Sequence, residues 1–85
     1  MTRAIMNDDQ AEQLIRAALH EVAPDADLDQ LGAGDDLRES LELDSLDFLQ
    51  FVELLSERSG RRIDEDDYDQ LVTLNAAVRW LSRAA

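Results

Sequence analysis

The chain has 85 residues, 45% of them apolar and 33% charged, a composition that excludes general disorder and suits a single small domain, 1–85. Its 20 acidic and 8 basic residues give a net charge of −12, which disfavours binding to nucleic acid or to anionic membranes. No cysteine is present, so disulfides and thiolate metal sites are excluded, and the segment M-T-R-A-I-M-N-D-D lacks the features of a signal peptide. We therefore predict a cytoplasmic protein that does not insert into membranes.

The first predicted helix follows Asn7 and is amphipathic. Asn7 is the expected N-cap and forms a capping box with Gln10, and Pro24 ends the helix at or before Ala23. Apolar residues recur at helical spacing and form the predicted core face: Ala11, Leu14, Ile15, Ala18, Leu19 and Val22.

The helical periodicity disappears between Pro24 and Leu43. A segment of this length without regular structure is unusual in a small domain, so we expect a long first loop that crosses the core. One or two short helical turns are expected in it, best placed at D-D-L-R-E-S-L. The loop leucines should contact the core: Leu28, Leu31, Leu37, Leu41 and Leu43.

The second predicted helix begins with Asp44 as N-cap and Asp47 as its capping-box partner, and it ends near Ser59–Gly60. At about 100° per residue, the core face holds Phe48, Phe51, Val52 and Leu55. The opposite face carries two leucines among polar and acidic residues: Leu46, Leu49, Gln50, Glu53 and Glu57. We call it the Leu46–Leu49 face. Either it docks a partner with a basic rim, or the first loop covers it, or its leucines are simply exposed, as single surface leucines commonly are.

A short third helix is predicted after Ile63, with Asp64 as its N-cap. The last helix starts at Thr73, and its predicted core residues are Leu74, Ala77, Val78 and Leu81. No strict alternation indicates a strand. The predicted fold is therefore all-α: a four-helix bundle of three longer helices and one short helix, with a long first loop.

Ser45 opens the second predicted helix, with its hydroxyl directed to solvent beside the Leu46–Leu49 face. A serine nucleophile needs an adjacent base, but the chain has no lysine and no G-x-S-x-G motif. Its single histidine, His20, falls on the outer face of the first helix. No catalytic residue is predicted, so Ser45 either supports the helix start or is modified by another enzyme.

The sequence D-S-L at residues 44–46, at the start of an apolar and acid-rich helix, resembles the attachment motif of the acyl carrier protein family. The resemblance extends over nearly the whole chain. D-D-L-R-E-S-L-E-L-D-S-L-D is similar to the family's loop before the motif, and R-R-I-D-E-D-D-Y-D-Q-L-V-T-L-N-A-A-V-R-W-L to its third and fourth helices. D-S-L alone recurs by chance, whereas the flanking helices, length and charge make the resemblance specific.

The resemblance implies that Ser45 carries 4′-phosphopantetheine, installed from coenzyme A by a phosphopantetheinyl transferase, and that the thiol of this arm holds an acyl group as a thioester. It implies that the transferase recognises Asp44 and Leu46. It also implies recognition by acyl-loading and acyl-transferring enzymes with basic docking surfaces. The predicted partner-binding set is Asp44, Leu46, Asp47, Leu49, Gln50, Glu53 and Glu57. The implied protein is a monomeric carrier without catalytic activity in fatty acid, polyketide or related lipid or secondary-metabolite synthesis.

Three positions depart from the family's pattern. Glu42 stands where glycine is usual, Asp64 where proline is common, and Glu53 where an exposed methionine is common. These departures favour a specialised carrier over the housekeeping fatty-acid carrier. Phe48 and Phe51 fill the interior that could shelter an acyl chain, which favours a short cargo or one that is not sequestered.

Two other interpretations remain open, and a third is disfavoured. Peptidyl or aminoacyl carriers of nonribosomal peptide pathways share the fold but are generally less acidic, which favours an acyl cargo. An arm-less acidic helical interaction module would use Ser45 only to support the helix start. Residues 25–36 resemble a calcium-binding EF-hand loop, but Gln30 and Asp36 replace its required glycine and glutamate, so no metal site is predicted.

Overall fold

A computed structural model describes residues 7–82, and within them every regular element is helical. The α-helices are α1 (Asp8–Val22), α2 (Leu37–Ser40), α3 (Ser45–Ser59) and α4 (Leu74–Ser82), and 3₁₀-helices span Leu28–Gln30 and Glu65–Leu71. The predicted all-α bundle of three longer helices and one short helix is confirmed. Most of the N-terminal segment on which the signal-peptide prediction rests, residues 1–6, lies outside the described residues.

Local capping determines where α1 begins. Asn7 Oδ1 accepts a hydrogen bond from the Gln10 N–H at 2.8 Å, and Gln10 Oε1 accepts one from the Asn7 N–H at 3.1 Å, as the capping box predicts. The helix ends at Val22, and its C-cap residue Ala23, whose backbone is not helical, precedes Pro24. Its central core residues are fully buried, and Leu14 and Val22 lie partly exposed at the rim of the stripe.

The core lies between α1, α3 and α4, because α1 packs against both of the other helices. Phe51 and Leu55 of α3 are fully buried there, as is Leu81 of α4. Burying a side chain of this size stabilises the fold by about 1.5–3 kcal/mol. The core face of α3 is therefore held in the core, and the helix cannot rotate to bury its opposite face.

The first loop crosses this core, and backbone hydrogen bonds connect it to the residues at the start of α4. Its leucines at 31, 37 and 43 are buried, and those at 28 and 41 are partly buried. The Leu37 N–H donates to the Val72 carbonyl oxygen at 2.8 Å, and the Asn75 N–H donates to the Ala33 carbonyl oxygen at 2.9 Å. The predicted core-crossing loop is confirmed, and its expected helical turn at D-D-L-R-E-S-L is α2.

The predicted third and fourth helices begin after Asp64 and Thr73, as expected, but the Asp64 side chain accepts no capping hydrogen bond from its helix. The Asp64 N–H donates to Asp67 Oδ2 at 3.1 Å, and the Asp67 N–H donates to the Asp64 carbonyl oxygen at 2.8 Å. The latter bond joins residues three apart, which is the spacing of the observed 3₁₀-helix. Thr73 Oγ1 accepts from the Ala76 N–H at 3.1 Å at the start of α4, whose Val78 is only partly buried.

The described part of the chain contains no helix with the length and apolar character needed to cross a membrane.

Candidate functional site

A tight turn with a left-handed residue joins α2 to α3. The Leu43 N–H donates to the Arg38 carbonyl oxygen at 2.9 Å, and the Glu42 N–H donates to the Glu39 carbonyl oxygen at 3.4 Å. These are the two hydrogen bonds of a Schellman motif, which places its left-handed residue at Glu42, with φ of +54°. Leu43 is buried directly after it, so the direction in which the chain enters α3 is set by packing.

The D-S-L motif forms the first turn of α3, and the predicted capping box holds it. Asp44 Oδ1 accepts from the Asp47 N–H at 2.8 Å, and Asp47 Oδ2 accepts from the Asp44 N–H at 3.4 Å. An N-cap of this kind stabilises a helix by about 1 kcal/mol. Ser45 is the first residue of the helix and is exposed. The capping box thus fixes the backbone on both sides of an accessible hydroxyl.

The side of α3 that faces away from the core is the Leu46–Leu49 face. Leu46 is 76% exposed and Leu49 is 42% exposed. The polar members of this face are also exposed: Gln50, Glu53 and Glu57. The predicted division of α3 into two faces is confirmed, and the alternative in which the first loop covers the two leucines is wrong.

Ser45 lines a groove of about 500 Å³ beside α3, which we call the Ser45 groove. Phe48 is one of its lining residues. The Tyr68 ring lies edge-on to the Phe48 ring, with 5.7 Å between the ring centroids, and the Arg38 guanidinium carbon is 5.3 Å from the Phe48 ring centroid. The groove draws its lining from several elements: Arg38, Ser45, Phe48, Leu49, Glu65, Tyr68, Asp69 and Val72.

Besides Phe48, the predicted site did not include these groove residues: Arg38, Glu65, Tyr68, Asp69 and Val72. These residues come from α2 and from the segment after α3, and only the packing of those elements against α3 brings them beside Ser45. The one local signal for the groove was Phe48, an aromatic residue in the first turn of α3, three positions after Ser45.

Several acidic side chains of the first loop accept hydrogen bonds from nearby backbone groups. Asp27 Oδ1 accepts from the Asp29 N–H at 3.1 Å, and Asp35 Oδ2 accepts from the Gly32 N–H at 2.8 Å. Asp36 Oδ1 accepts from the N–H of residue 39 at 3.0 Å and caps α2. Within residues 7–82, no group of three or more histidine, cysteine, aspartate or glutamate side chains is arranged to hold a metal ion.

The comparisons with known proteins agree with this arrangement. The family model for the phosphopantetheine attachment site matches residues 10–81, a span that contains the D-S-L motif and runs from α1 into α4. The search of curated proteins found no match. Carrier proteins of this family interact with phosphopantetheinyl transferases and with synthesis enzymes, and their domains are generally non-catalytic. The chain therefore belongs to the phosphopantetheine attachment site family, as a carrier protein whose prosthetic group is 4′-phosphopantetheine.

Proposed function

We propose that the chain is an acyl carrier protein whose arm is attached to Ser45. It presents acyl intermediates, held as thioesters, to partner enzymes of fatty acid, polyketide or related lipid or secondary-metabolite synthesis. The observation that carries this proposal is the exposed Ser45 of the D-S-L motif in a chain that belongs to the attachment family. We propose that residues 1–85 form a single domain that acts as a monomer.

The residues around Ser45 fit a covalently attached arm. The hydroxyl is exposed at the start of α3, where free backbone N–H groups and the positive end of the helix dipole tolerate a phosphate. The Ser45 groove offers apolar surface from Phe48 and Tyr68 next to the attachment point. When bound, the arm supplies a thiol that carries the acyl group. The capped first turn holds Ser45 in a constant position for the transferase that would form the phosphodiester.

Attachment to Ser45 requires a base from another enzyme. The neighbouring carboxylates of Asp44 and Asp47 accept hydrogen bonds within the capping box, and His20 is exposed on α1. The chain therefore acts, in this proposal, as the non-catalytic protein substrate of a phosphopantetheinyl transferase and of the enzymes that load and use the arm.

The packing of the core favours some acyl cargoes over others. Phe51 and Leu55 are fully buried between the helices, so a long acyl chain could enter only by displacing packed side chains. This packing favours a short cargo or one held outside the core. The same feature suits a peptidyl or aminoacyl carrier of a nonribosomal peptide pathway, which is the second candidate, whereas the net charge of −12 favours the acyl carrier.

The Leu46–Leu49 face is the proposed docking surface. Its two exposed leucines form a small apolar centre, and the carboxylates of Glu53 and Glu57 lie along the same side of α3. Asp44, Asp47 and Gln50 complete the set proposed for partner binding. A partner with a basic rim around an apolar depression complements this surface in both charge and hydrophobicity.

Incubation with a promiscuous phosphopantetheinyl transferase and coenzyme A tests the proposal. Intact-protein mass spectrometry should show the addition of one phosphopantetheine, and Ser45→Ala should abolish it. Ser40→Ala is the matched control, because this serine is also exposed and lies on the neighbouring α2. If the folded wild-type chain gains no mass, the arm-less interaction module is the better description.

A further inference from the structure

Of the described residues, Arg38 is the only basic one that lines the Ser45 groove. It lies on α2, and its guanidinium carbon is 5.3 Å from the centroid of the Phe48 ring. Phe48 is three residues beyond Ser45 on α3, and side chains at this spacing are neighbours on a helix surface. The fold therefore brings one positive charge next to the proposed attachment point.

Arg38 makes no ion pair among residues 7–82. The carboxylates of Glu65 and Asp69 line the same groove, yet the Arg38 guanidinium lies over the Phe48 ring. The ion pairs of the described residues lie elsewhere: Arg16 with Glu12, Arg58 with Glu21, and Arg62 with Asp64. The guanidinium N–H donors of Arg38 thus have no carboxylate partner there and can bind an anion that enters the groove.

We propose that Arg38 pairs with the phosphodiester that joins the arm to Ser45 and thereby holds the inner part of the arm in the Ser45 groove. This inference rests on the proposed function. The phosphodiester adds a negative charge beside Asp44 and Asp47 in a chain whose net charge is already −12, and a nearby cation offsets the repulsion. A guanidinium suits this role because its planar donors match phosphate oxygens in pairs. Arg38 is a positioning residue for the arm and takes no part in forming the bond.

Phosphorus NMR of the loaded protein tests this pairing. The reference is the loaded protein unfolded in urea, whose phosphodiester is free. We expect the folded wild type to differ from this reference in ³¹P chemical shift, and we expect the Arg38 Nε–H resonance to move when the arm is attached. Arg38→Gln should lower the ratio of paired to free phosphodiester about two- to fivefold, the range for an exposed ion pair.

Two further variants make the result specific. Arg38→Lys keeps the charge without the planar donors, and its ³¹P shift should lie between those of the wild type and Arg38→Gln. Arg62→Gln makes the same change in net charge, but Arg62 pairs with Asp64 and does not line the Ser45 groove, so this variant should match the wild type. Circular dichroism shows that each variant is folded before the spectra are compared.

The possible outcomes separate this inference from the proposed function. If the folded wild type gains no arm, both are overturned. If loading is complete but Arg38→Gln leaves the ³¹P shift unchanged, the pairing is overturned and the carrier function stands. A shift that changes equally in Arg38→Gln and Arg62→Gln reports net charge alone and also overturns the pairing.

Discussion

Glu42 has a left-handed backbone, with φ of +54°, although a side chain makes this conformation unfavourable by about 1–2 kcal/mol. The turn requires it, because the Leu43 N–H can reach the Arg38 carbonyl oxygen only if the chain reverses there. Leu43 is buried directly after the turn, and Asp44 then caps α3. A strained residue therefore lies three positions before Ser45, where the acyl carrier family usually has glycine.

Replacing Glu42 with glycine should stabilise the protein. Glycine adopts positive φ without steric cost, and the gain is reduced by its greater freedom in the unfolded chain, so we expect an increase of up to about 1 kcal/mol in the free energy of unfolding. Urea denaturation measures it. Glu42→Ala is the control, because it removes the same charge but keeps a Cβ atom. If Glu42→Gly is no more stable than Glu42→Ala, the backbone at Glu42 is not strained.

Among the secondary-structure elements, α3 combines three roles. Its N-terminal turn presents Ser45, its core face is buried, and its opposite face exposes two leucines. These roles are compatible because a helix turns by about 100° per residue, so neighbours in sequence point in different directions. Substitutions on the Leu46–Leu49 face, the proposed docking surface, should therefore leave the core undisturbed.

Reversing the charge of Glu53 and Glu57 tests whether this face binds partners. With Glu53→Lys and Glu57→Lys together, acyl loading of the arm by an enzyme with a basic docking surface should slow by about tenfold or more at low ionic strength. The difference should shrink as salt is added, because salt screens exposed charges. Stopped-flow or quenched-flow measurement of the loading rate gives both values.

The matched control reverses two exposed acidic residues of the first loop, Asp25→Lys and Asp29→Lys, which make the same change in net charge. This variant should be loaded at close to the wild-type rate. Equal slowing in both double variants would show that total charge, not the Leu46–Leu49 face, controls loading. A Glu53/Glu57 variant that is loaded at the wild-type rate would show that this face is not the docking surface.

Across the whole molecule, negative charge greatly exceeds positive charge. The net charge is −12, and the ion pairs among residues 7–82 involve side chains that are at least about one-third exposed, a setting in which such pairs contribute little to stability. Repulsion between the remaining carboxylates opposes the compact state. The Cα radius of gyration is nevertheless 12.1 Å, close to the ~12 Å expected for a compact chain of this length.

Salt should therefore raise the melting temperature. Going from about 0.01 M to about 0.15 M salt shortens the Debye length from about 30 Å to about 8 Å, which screens the repulsion between exposed carboxylates. Each kcal/mol of repulsion removed corresponds to about 4–8 °C in a domain of this size. Thermal melts followed by circular dichroism measure the shift, and a melting temperature that stays constant or falls would contradict the argument.

The choice of cation separates screening from specific binding. Sodium chloride and choline chloride should raise the melting temperature equally at equal ionic strength, because screening depends on charge and concentration alone. Calcium at micromolar concentration should have no saturable effect, since within residues 7–82 no cluster of acidic side chains is arranged to hold a metal. A saturable rise with calcium would instead favour the metal-binding interpretation of residues 25–36.

The sequence by itself determined the helix ends and the two faces of α3. Caps such as Asn7 with Gln10 and Asp44 with Asp47 join residues three apart, and the apolar spacing of a helix repeats every three or four residues. Both signals are local and can be identified along the chain. The D-S-L motif, set among these helices, also indicated the family that the match over residues 10–81 shows.

Only the tertiary structure decided the surroundings of Ser45. Arg38 and Tyr68 meet at Phe48 because the first loop is fastened to the segment before α4, with the Leu37 N–H donating to the Val72 carbonyl oxygen. These residues are far apart along the chain, and no periodicity or cap links them. The left-handed backbone of Glu42 and the exposure of Leu49 depend on the same packing. The path of the loop determines where the chain must turn sharply and which side chains of α3 it leaves uncovered.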